Sequence, residues 1–166
     1  VHHLPVVDNG QLVGMVSSGD LMRLETANPV FLVGDIAKQP TAAGIAAITA
    51  RIPALVTRMI EQDASADEIH RVLTGVGDAA SRRLLQLAEA ELGKPPVGYT
   101  WLVLGSQARH EHGLGSDQDH VLVLDDSLQA EHHGYFEALA ARVSAGLELC
   151  GVPKCPGEVM ATNPRW

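Results

Sequence analysis

The sequence predicts a mixed α/β chain of the α+β kind, because strand and helix patterns occupy separate stretches of its 166 residues. Short apolar runs rich in β-branched and aromatic residues lie near both ends, within residues 4–16 and 99–124, and such runs are typical of strands. Between them, residues 41–93 place apolar side chains three and four positions apart, which indicates amphipathic helices. The order strand, loop, strand, helix in the last region indicates an α/β unit.

These patterns divide the chain into residues 1–27, a connector at 28–40, a helical segment at 41–96 and a compact unit at 97–166. In the first part, Asn9-Gly10 between two apolar runs predicts a two-residue hairpin turn. Ser17 and Asp20 follow the second run, where a helix is expected to begin. The connector contains two prolines and one glycine and shows no sustained hydrophobic period.

Helix boundaries are indicated by local signals. Pro53 interrupts the first apolar face, which can therefore divide into two helices. The next helix is expected to start after Ser65, because Glu68 three residues later completes a capping box. It is expected to end at Gly93. The last predicted helix covers about 134–149.

Composition excludes several classes of partner. The formal net charge is −8, from 12 basic and 20 acidic residues, and the basic residues form no stripe. A nucleic-acid partner is therefore not expected. No uninterrupted apolar run reaches the roughly 18–20 residues that a membrane span needs, so no membrane contact is expected either.

Cysteine usage indicates a reducing compartment. Cys150 and Cys155 are too few for a disulfide scaffold, so we expect reduced thiols and a cytoplasmic location. Their spacing alone is a weak indication of zinc. Because the chain begins at Val1 and stops abruptly at Trp166, we interpret it as a fragment of a longer protein.

Two aspartates stand at the start of the last apolar run. Side chains two apart in a strand share a face, so Asp117 and Asp119 point into one volume while Gln118 and His120 face away. Carboxylates this close repel each other, and a divalent cation relieves the repulsion. Mg²⁺ is usually held by one or two carboxylates together with substrate phosphates. The pair is therefore a candidate Mg²⁺ site, although a D-x-D sequence alone often marks only solvated turn residues.

A glycine-serine pair ends the preceding apolar run. Gly105 allows backbone to approach a phosphate closely, and backbone N–H groups with the Ser106 hydroxyl can hold phosphate oxygens. Arg109 adds a planar, bidentate donor that suits phosphate. Together with the aspartates, these residues suit a metal-bound nucleoside triphosphate.

The combination G-S-x10-D-x-D between two apolar strands resembles the signature of the DNA polymerase β-type nucleotidyltransferase superfamily. The stretch "GSQARHEHGLGSDQDHVLV" is more closely similar to the N-terminal catalytic domain of the PII-protein uridylyltransferases. It is most similar to nucleotidyltransferase domains joined to cystathionine β-synthase (CBS) domains in bacterial signalling proteins. The ending "GVPKCPGEVMATNPRW" also matches that group. The resemblance implies that residues 97–166 are a nucleotidyltransferase core with a small mixed sheet, truncated at its C-terminus.

The resemblance also implies roles for the site residues. Gly105, Ser106 and Arg109 would contact the triphosphate, and the catalytic Asp117 and Asp119 would bind Mg²⁺. The implied reaction is in-line attack of a hydroxyl on the α-phosphate with release of pyrophosphate. UTP and ATP both stay open as the nucleotide, and a protein is an implied acceptor.

Three features depart from the family pattern or leave it incomplete. Ala108 stands where glycine is usual, and His120 where asparagine is usual. The superfamily also uses a third carboxylate on a later strand; Glu158 is the late candidate here, but it lies in no evident strand. We expect the third carboxylate beyond Trp166. A non-catalytic nucleotide-binding regulatory module is therefore the alternative to an enzyme.

The first part of the chain carries a second resemblance. "HHLPVVDNGQLVGMVSSGDLMRL" is similar to the second half of a CBS motif, which covers residues 1–27. CBS motifs pair to bind adenosine-containing ligands, so the resemblance implies an adenine nucleotide effector, contacts from Ser17 and Asp20, and a homodimer. Simple helix capping by these two residues is the alternative, and it is compatible with ligand binding.

Histidines in the loop are a further candidate feature. His110 and His112 flank Glu111, a residue that matches a family position without a clear role. Solvated loop histidines are the common case, and substrate contact is the alternative. Trp101 is expected to pack in the core.

Overall fold

The computed structural model describes residues 3–19 and 29–165. About 51% of the chain is helix and 16% is strand, in two small antiparallel sheets, so the predicted α+β class is confirmed. The elements in chain order are β1 (His3–Asp8), β2 (Gln11–Ser17), α1 (Pro29–Ala37), α2 (Ala42–Thr49), α3 (Ile52–Glu61), α4 (Ala66–Leu92), β3 (Tyr99–Val103), α5 (Gly105–Ala108), β4 (His120–Leu124), a 3₁₀ turn (Ala130–His132) and α6 (His133–Leu149).

The N-terminal hairpin forms where the sequence predicted it. β1 and β2 pair antiparallel, and the turn between them has positive φ at both Asn9 (49°) and Gly10 (79°). Two positive φ angles define the turn that matches the twist of a two-residue hairpin, and Asn-Gly is its preferred sequence. Ser17 ends β2 and is partly exposed. Asp20 lies outside the described residues, so the ligand contact of this pair stays a prediction.

The stretch expected to be an irregular connector contains a helix instead. α1 covers Pro29–Ala37, and Leu32 and Ile36, one turn apart, are 2% and 0% exposed. Proline suits the first position of a helix, where its missing N–H has no intrahelical partner to lose. Burial against α4 stabilises this short helix, whose apolar residues follow no sustained helical period.

The helical segment follows the predicted signals closely. Its first apolar face divides into α2 and α3, with Pro53 in the first turn of α3, where proline is tolerated. α4 starts after a capping box in which the Glu68 N–H donates to Ser65 Oγ at 3.3 Å, and the Ser65 N–H donates to Glu68 Oε2 at 2.8 Å. The helix then runs without interruption to Leu92.

By length and composition, the stretch Ala42–Glu61 could cross a membrane, although polar residues such as Thr49 and Arg51 interrupt its apolar run. In the structure this stretch forms two short helices, α2 and α3, separated at Ala50 and Arg51. Their buried side chains Ile45 and Leu55 belong to the main core. Helices buried in a protein core can be equally long and apolar, so composition alone is weak evidence of a membrane span.

The core lies between α4, α6 and α1, and the sheet β3–β4 packs against its edge. Ile36, Ile45, Leu139 and Val143 are completely buried in it. Tyr99 of β3 meets the ring of Phe136 edge-on, with ring centroids 5.8 Å apart. This contact fixes the sheet on α6, and with it the position of the loop between the two strands.

The strands β3 and β4 pair antiparallel, with Val103 opposite His120. The resemblance implied a mixed sheet. Among the described residues, the parallel pairing is limited to one isolated bridge, between Gln118 and Lys154. β3 is only half-buried, and its Leu102 is 41% exposed. Helices cover only one face of this pair, so alternate side chains remain at the surface.

Candidate functional site

The loop between β3 and β4 is closed at its base by backbone pairing. The register that places Val103 opposite His120 continues one step further, where the Leu104 N–H donates to the Asp119 carbonyl at 2.8 Å. The chain then turns into the short helix α5, which begins with Gly105 and Ser106. The residues predicted to hold phosphate and metal therefore start from adjacent points on two paired strands.

Gly105 occupies a position that admits no side chain. Its φ of +55° lies in the left-handed region that favours glycine. A Cβ built there would lie 2.0 Å from Oδ2 of Asp119 and 2.9 Å from its Cγ. The Asp119 carboxylate thus packs directly over the backbone at the start of α5.

A serine that the sequence analysis did not select connects the two halves of the loop. The hydroxyl oxygens of Ser106 and Ser116 are 3.2 Å apart, and Ser116 Oγ accepts a hydrogen bond from the Gly113 N–H at 2.9 Å. Because Ser116 immediately precedes Asp117, this contact joins the predicted phosphate-binding residue to the start of the aspartate pair.

The aspartate pair converges with a cysteine. One ligand atom each from Asp117, Asp119 and Cys155 lies within 4.8 Å of the other two. The pKa of the Cys155 thiol is raised: a hydrogen bond from the Val159 backbone lowers it, but burial and hydrogen bonds to Asp119 and Asp117 outweigh that effect. The thiol therefore lies against both carboxylates.

This donor set fits a divalent cation. Two carboxylates at one point are the usual protein contribution to a Mg²⁺ site, and the cation would offset their mutual repulsion. The Cys155 thiol is a softer donor, of the kind that Zn²⁺ accepts more readily than Mg²⁺ does. Asp117 and Asp119 therefore fit the expected metal, and Cys155 adds a donor that the sequence analysis had not placed there.

Gln118, between the two aspartates, faces the protein interior, as the alternation of a strand predicts. Its side-chain amide donates to the carbonyls of Ser144 (3.1 Å) and Val152 (2.9 Å), and its Oε1 accepts from the Ser144 hydroxyl at 2.8 Å. Only 2% of Gln118 is exposed. This anchor fixes the backbone of the D-x-D segment, so its flanking carboxylates must point the other way.

His120 also points inward, and its surroundings define its protonation state. Its Nδ1 accepts from the Ala161 N–H at 3.0 Å, so the ring proton lies on Nε2 and is donated to Gln118 Oε1 at 3.2 Å. Burial lowers the pKa of His120 to about 4. The ring stacks on Trp101, with centroids 4.3 Å apart. His120, which stands where the family usually has asparagine, is thus part of the core beneath the site.

Arg109 lies at the surface just after α5. Its Nε donates to the carboxylate of Glu111 at 2.8 Å, and the two side chains are 61% and 55% exposed. An exposed ion pair of this kind contributes little stability, so Arg109 can exchange its partner for a phosphate at small cost. The Glu111 N–H donates to the Ser106 carbonyl at 2.8 Å, which keeps Glu111 beside the phosphate-binding turn.

The two loop histidines differ sharply in burial. His110 is exposed, as expected for a solvated loop residue. His112 is only 7% exposed, so the expectation of a solvated side chain is wrong for it. Burial lowers the pKa of His112, and the nearby Asp78 and Asp117 carboxylates oppose the shift. Asp78 also accepts from the Gln107 amide at 2.8 Å, which ties α5 to α4.

The third carboxylate of the resemblance is not supplied by Glu158. This residue is exposed, lies outside any strand and has a left-handed φ of 55°. Within the part of the chain that the structure describes, the donor beside Asp117 and Asp119 is Cys155 instead.

Comparison with known families agrees with this geometry. The model of the family described as "Putative nucleotidyltransferase DUF294" matches residues 50–166, and that of the CBS domain matches residues 1–26. The first match covers more than half of the chain, so the protein belongs to this nucleotidyltransferase-like family, with part of a CBS domain ahead of it. No curated protein and no solved structure matches the chain significantly.

Two residues of the site had no clear signal in the sequence. Ser116 reads as an ordinary loop serine, although its place directly before D-x-D could have drawn attention to it. Cys155 is distant in sequence and becomes a neighbour of Asp119 only because the segment after α6 returns to the sheet edge. There the Gln118 N–H donates to the Pro153 carbonyl at 2.9 Å.

Proposed function

We propose that this protein is a metal-dependent nucleotidyltransferase, similar to the PII-protein uridylyltransferases, that transfers a nucleotidyl group from UTP or ATP to a protein acceptor. The observation that carries the proposal is the convergence of Asp117 and Asp119 beside Gly105-Ser106, where any side chain at position 105 would collide with the Asp119 carboxylate. The membership of the nucleotidyltransferase-like family supports it.

Asp117 and Asp119 are the residues that would hold Mg²⁺. A bound Mg²⁺ would supply charge neutralisation for the triphosphate. Both aspartates are partly exposed, so a substrate can reach them from solvent. Gln118 between them stays anchored in the core, which keeps the two carboxylates at a fixed separation while substrate enters and product leaves.

The phosphate oxygens would be held by the chain's own donors. The Ser106 hydroxyl is already placed by its contact with Ser116, at the turn that faces Asp119. Arg109 needs only to leave Glu111 to offer a bidentate donor to a phosphate. The site thus combines fixed donors on α5 with one mobile guanidinium group, that of Arg109, at its rim.

A non-catalytic nucleotide-binding regulatory module is the second candidate. The observation in its favour is that, among the described residues, the third donor beside Asp117 and Asp119 is a thiol and not a carboxylate. In either case we propose that the CBS portion responds to an adenine nucleotide through Ser17 and Asp20, in a cytoplasmic, homodimeric signalling protein.

The test is a transfer assay with UTP and ATP labelled at the α-phosphate. The protein is incubated with each nucleotide, Mg²⁺ and a cell extract as a source of acceptors, and both pyrophosphate release and label on macromolecules are measured. The variant Asp117→Asn/Asp119→Asn removes the metal ligands. A matched variant, Asp126→Asn/Glu131→Gln, removes two charges at exposed positions elsewhere.

The enzyme proposal expects release and transfer from the wild type and the charge-matched variant, and at least a hundredfold less from the aspartate variant, in line with loss of a catalytic metal. Metal-dependent nucleotide binding without transfer would establish the regulatory module instead. Absence of both would refute the nucleotide site itself.

A further inference from the structure

A second feature of the site is a partly open cavity on the inner side of the loop. Its volume is about 190 Å³, and it lies between α4, the inner face of β3 and the segment after α6. Most of its lining is apolar, for example Leu73, Val76 and Leu147. Its lining includes Asp119 together with the inward-facing Gln118 and His120, so the cavity lies directly beneath the proposed metal site.

The cavity is lined by two side chains, the half-buried Trp101 and the buried His112, that each carry a buried polar atom with unused hydrogen-bonding capacity. Among the described residues, three buried side-chain atoms have no hydrogen-bond partner: Thr74 Oγ1, Trp101 Nε1 and His112 Nδ1. Trp101 and His112 both line this cavity. A buried polar atom without a partner is costly, by about 1–3 kcal/mol, so two at one cavity indicate groups that meet a ligand.

The two atoms restrict the chemistry of that ligand. An indole N–H can only donate, so the ligand must present an acceptor to Trp101. Neutral imidazole offers one donor and one acceptor, so His112 Nδ1 can match either kind of group. A flat heteroaromatic ring with acceptors and donors along its edge satisfies both atoms, and its faces suit the apolar lining.

The size and position of the cavity narrow the choice further. Pockets for drug-sized ligands are roughly 300–1,000 Å³, so this cavity has room for a ring but not for a whole nucleotide. A ring held here, with its substituent leaving towards Asp119, would place a phosphate chain at the carboxylates.

We infer that the cavity lined by Trp101 and His112 is a nucleobase subsite, which binds the base of the nucleotide whose triphosphate lies at Asp117 and Asp119. The inference rests on the proposed function and adds the group that distinguishes a nucleotide from inorganic triphosphate. Trp101 Nε1 donates to a ring acceptor, and His112 Nδ1 binds a second polar group of the base.

The experiment compares ligands that contain the base, the triphosphate or both. UTP, ATP, uridine, adenosine and inorganic tripolyphosphate are titrated into the protein with Mg²⁺ by calorimetry. Trp166→Phe leaves Trp101 as the single tryptophan, since the chain has two, and its fluorescence reports occupancy of the cavity.

Two variants and a matched control test the cavity itself. His112→Ala removes one polar group, and Ala50→Leu fills space from a lining residue that is itself exposed, so folding is little affected. Ala47→Leu makes the same change at an exposed position of α2 outside the lining.

We expect UTP or ATP to bind at least about tenfold more tightly than tripolyphosphate and to change Trp101 fluorescence, since one good buried hydrogen bond corresponds to about that factor. His112→Ala and Ala50→Leu should each remove about tenfold of the nucleotide affinity without changing that for tripolyphosphate, and Ala47→Leu should change neither.

Equal affinity for nucleotides and tripolyphosphate, with no change in Trp101 fluorescence, would overturn the nucleobase subsite. The proposed metal–phosphate site would be unaffected by that result. Nucleoside binding at Trp101 without any binding of tripolyphosphate would support the subsite and refute the proposed function. Failure of every ligand to bind would overturn both.

Discussion

Replacing Gly105 by alanine is expected to disturb the metal site through a single methyl group. The new Cβ would lie 2.0 Å from Oδ2 of Asp119, whereas ordinary contacts begin at 3.4 Å. The carboxylate must therefore retreat by more than about 1 Å, or the start of α5 must move. Either movement changes the position of the Asp119 carboxylate relative to Asp117.

The expected magnitudes follow from this geometry. A non-glycine residue at φ +55° costs about 1–2 kcal/mol of conformational energy, and relief of the collision brings the total loss of folding stability to roughly 1–3 kcal/mol. Metal–ligand distances tolerate only about 0.2 Å of error, so a displaced ligand should weaken metal binding at least about tenfold.

The assay combines urea unfolding with calorimetric titration of Mn²⁺, which substitutes for Mg²⁺. Gly115→Ala is the control in the same loop, because a Cβ there meets nothing within 4 Å and its φ is not positive. The reasoning is refuted if Gly105→Ala binds Mn²⁺ as tightly as Gly115→Ala does and is equally stable.

Three further changes have defined outcomes. Gln118→Leu removes the buried side chain's hydrogen bonds to the Ser144 and Val152 carbonyls and from the Ser144 hydroxyl. It should lower the free energy of unfolding by about 2–4 kcal/mol in urea titrations, whereas the exposed Gln62→Leu should change it by less than about 0.5 kcal/mol. Burial lowers the pKa of His120 to about 4, so as the pH falls from about 6.5 the unfolded chain binds a proton that the folded chain does not. Wild-type stability should then fall by up to about 1.4 kcal/mol per pH unit more than that of His120→Asn until pH 4, and parallel pH profiles would contradict this. Cys155→Ser should weaken Zn²⁺ binding at least about tenfold and Mg²⁺ binding less than about threefold in calorimetry. Equal losses for the two metals, or no loss for either, would contradict selective coordination by the thiol.

Elements defined by local chemistry were predictable from the sequence. The Asn9-Gly10 turn and the Ser65–Glu68 capping box form as expected because each depends on neighbouring residues alone. The alternation around Gln118 was predictable for the same reason, since strand geometry by itself sets which side chains share a face. The roles of Gly105, Ser106, Arg109 and the aspartates stay predictions, although their placement is compatible with those roles.

Features that depend on tertiary packing were not predictable. α1 is apolar on more than one side, and only the packing against α4 selects Leu32 and Ile36 for burial while Phe31 and Val33 stay exposed. His112 is buried because the loop folds inward over α4, which no local pattern of polar residues reveals. Cys155 joins Asp117 and Asp119 only after the chain has passed through α6 and returned to the sheet.

The central claim is that Asp117 and Asp119 hold a metal-bound nucleoside triphosphate beside Gly105-Ser106. The most direct measurement is calorimetric titration of UTP and ATP, with and without Mg²⁺, into the wild type, Asp117→Asn/Asp119→Asn and the charge-matched Asp126→Asn/Glu131→Gln. We expect binding that requires Mg²⁺, is retained by the charge-matched variant and is lost by the aspartate variant. Nucleotide binding that is indifferent to Mg²⁺ and to both aspartates, or no binding by a folded wild type, would contradict the account.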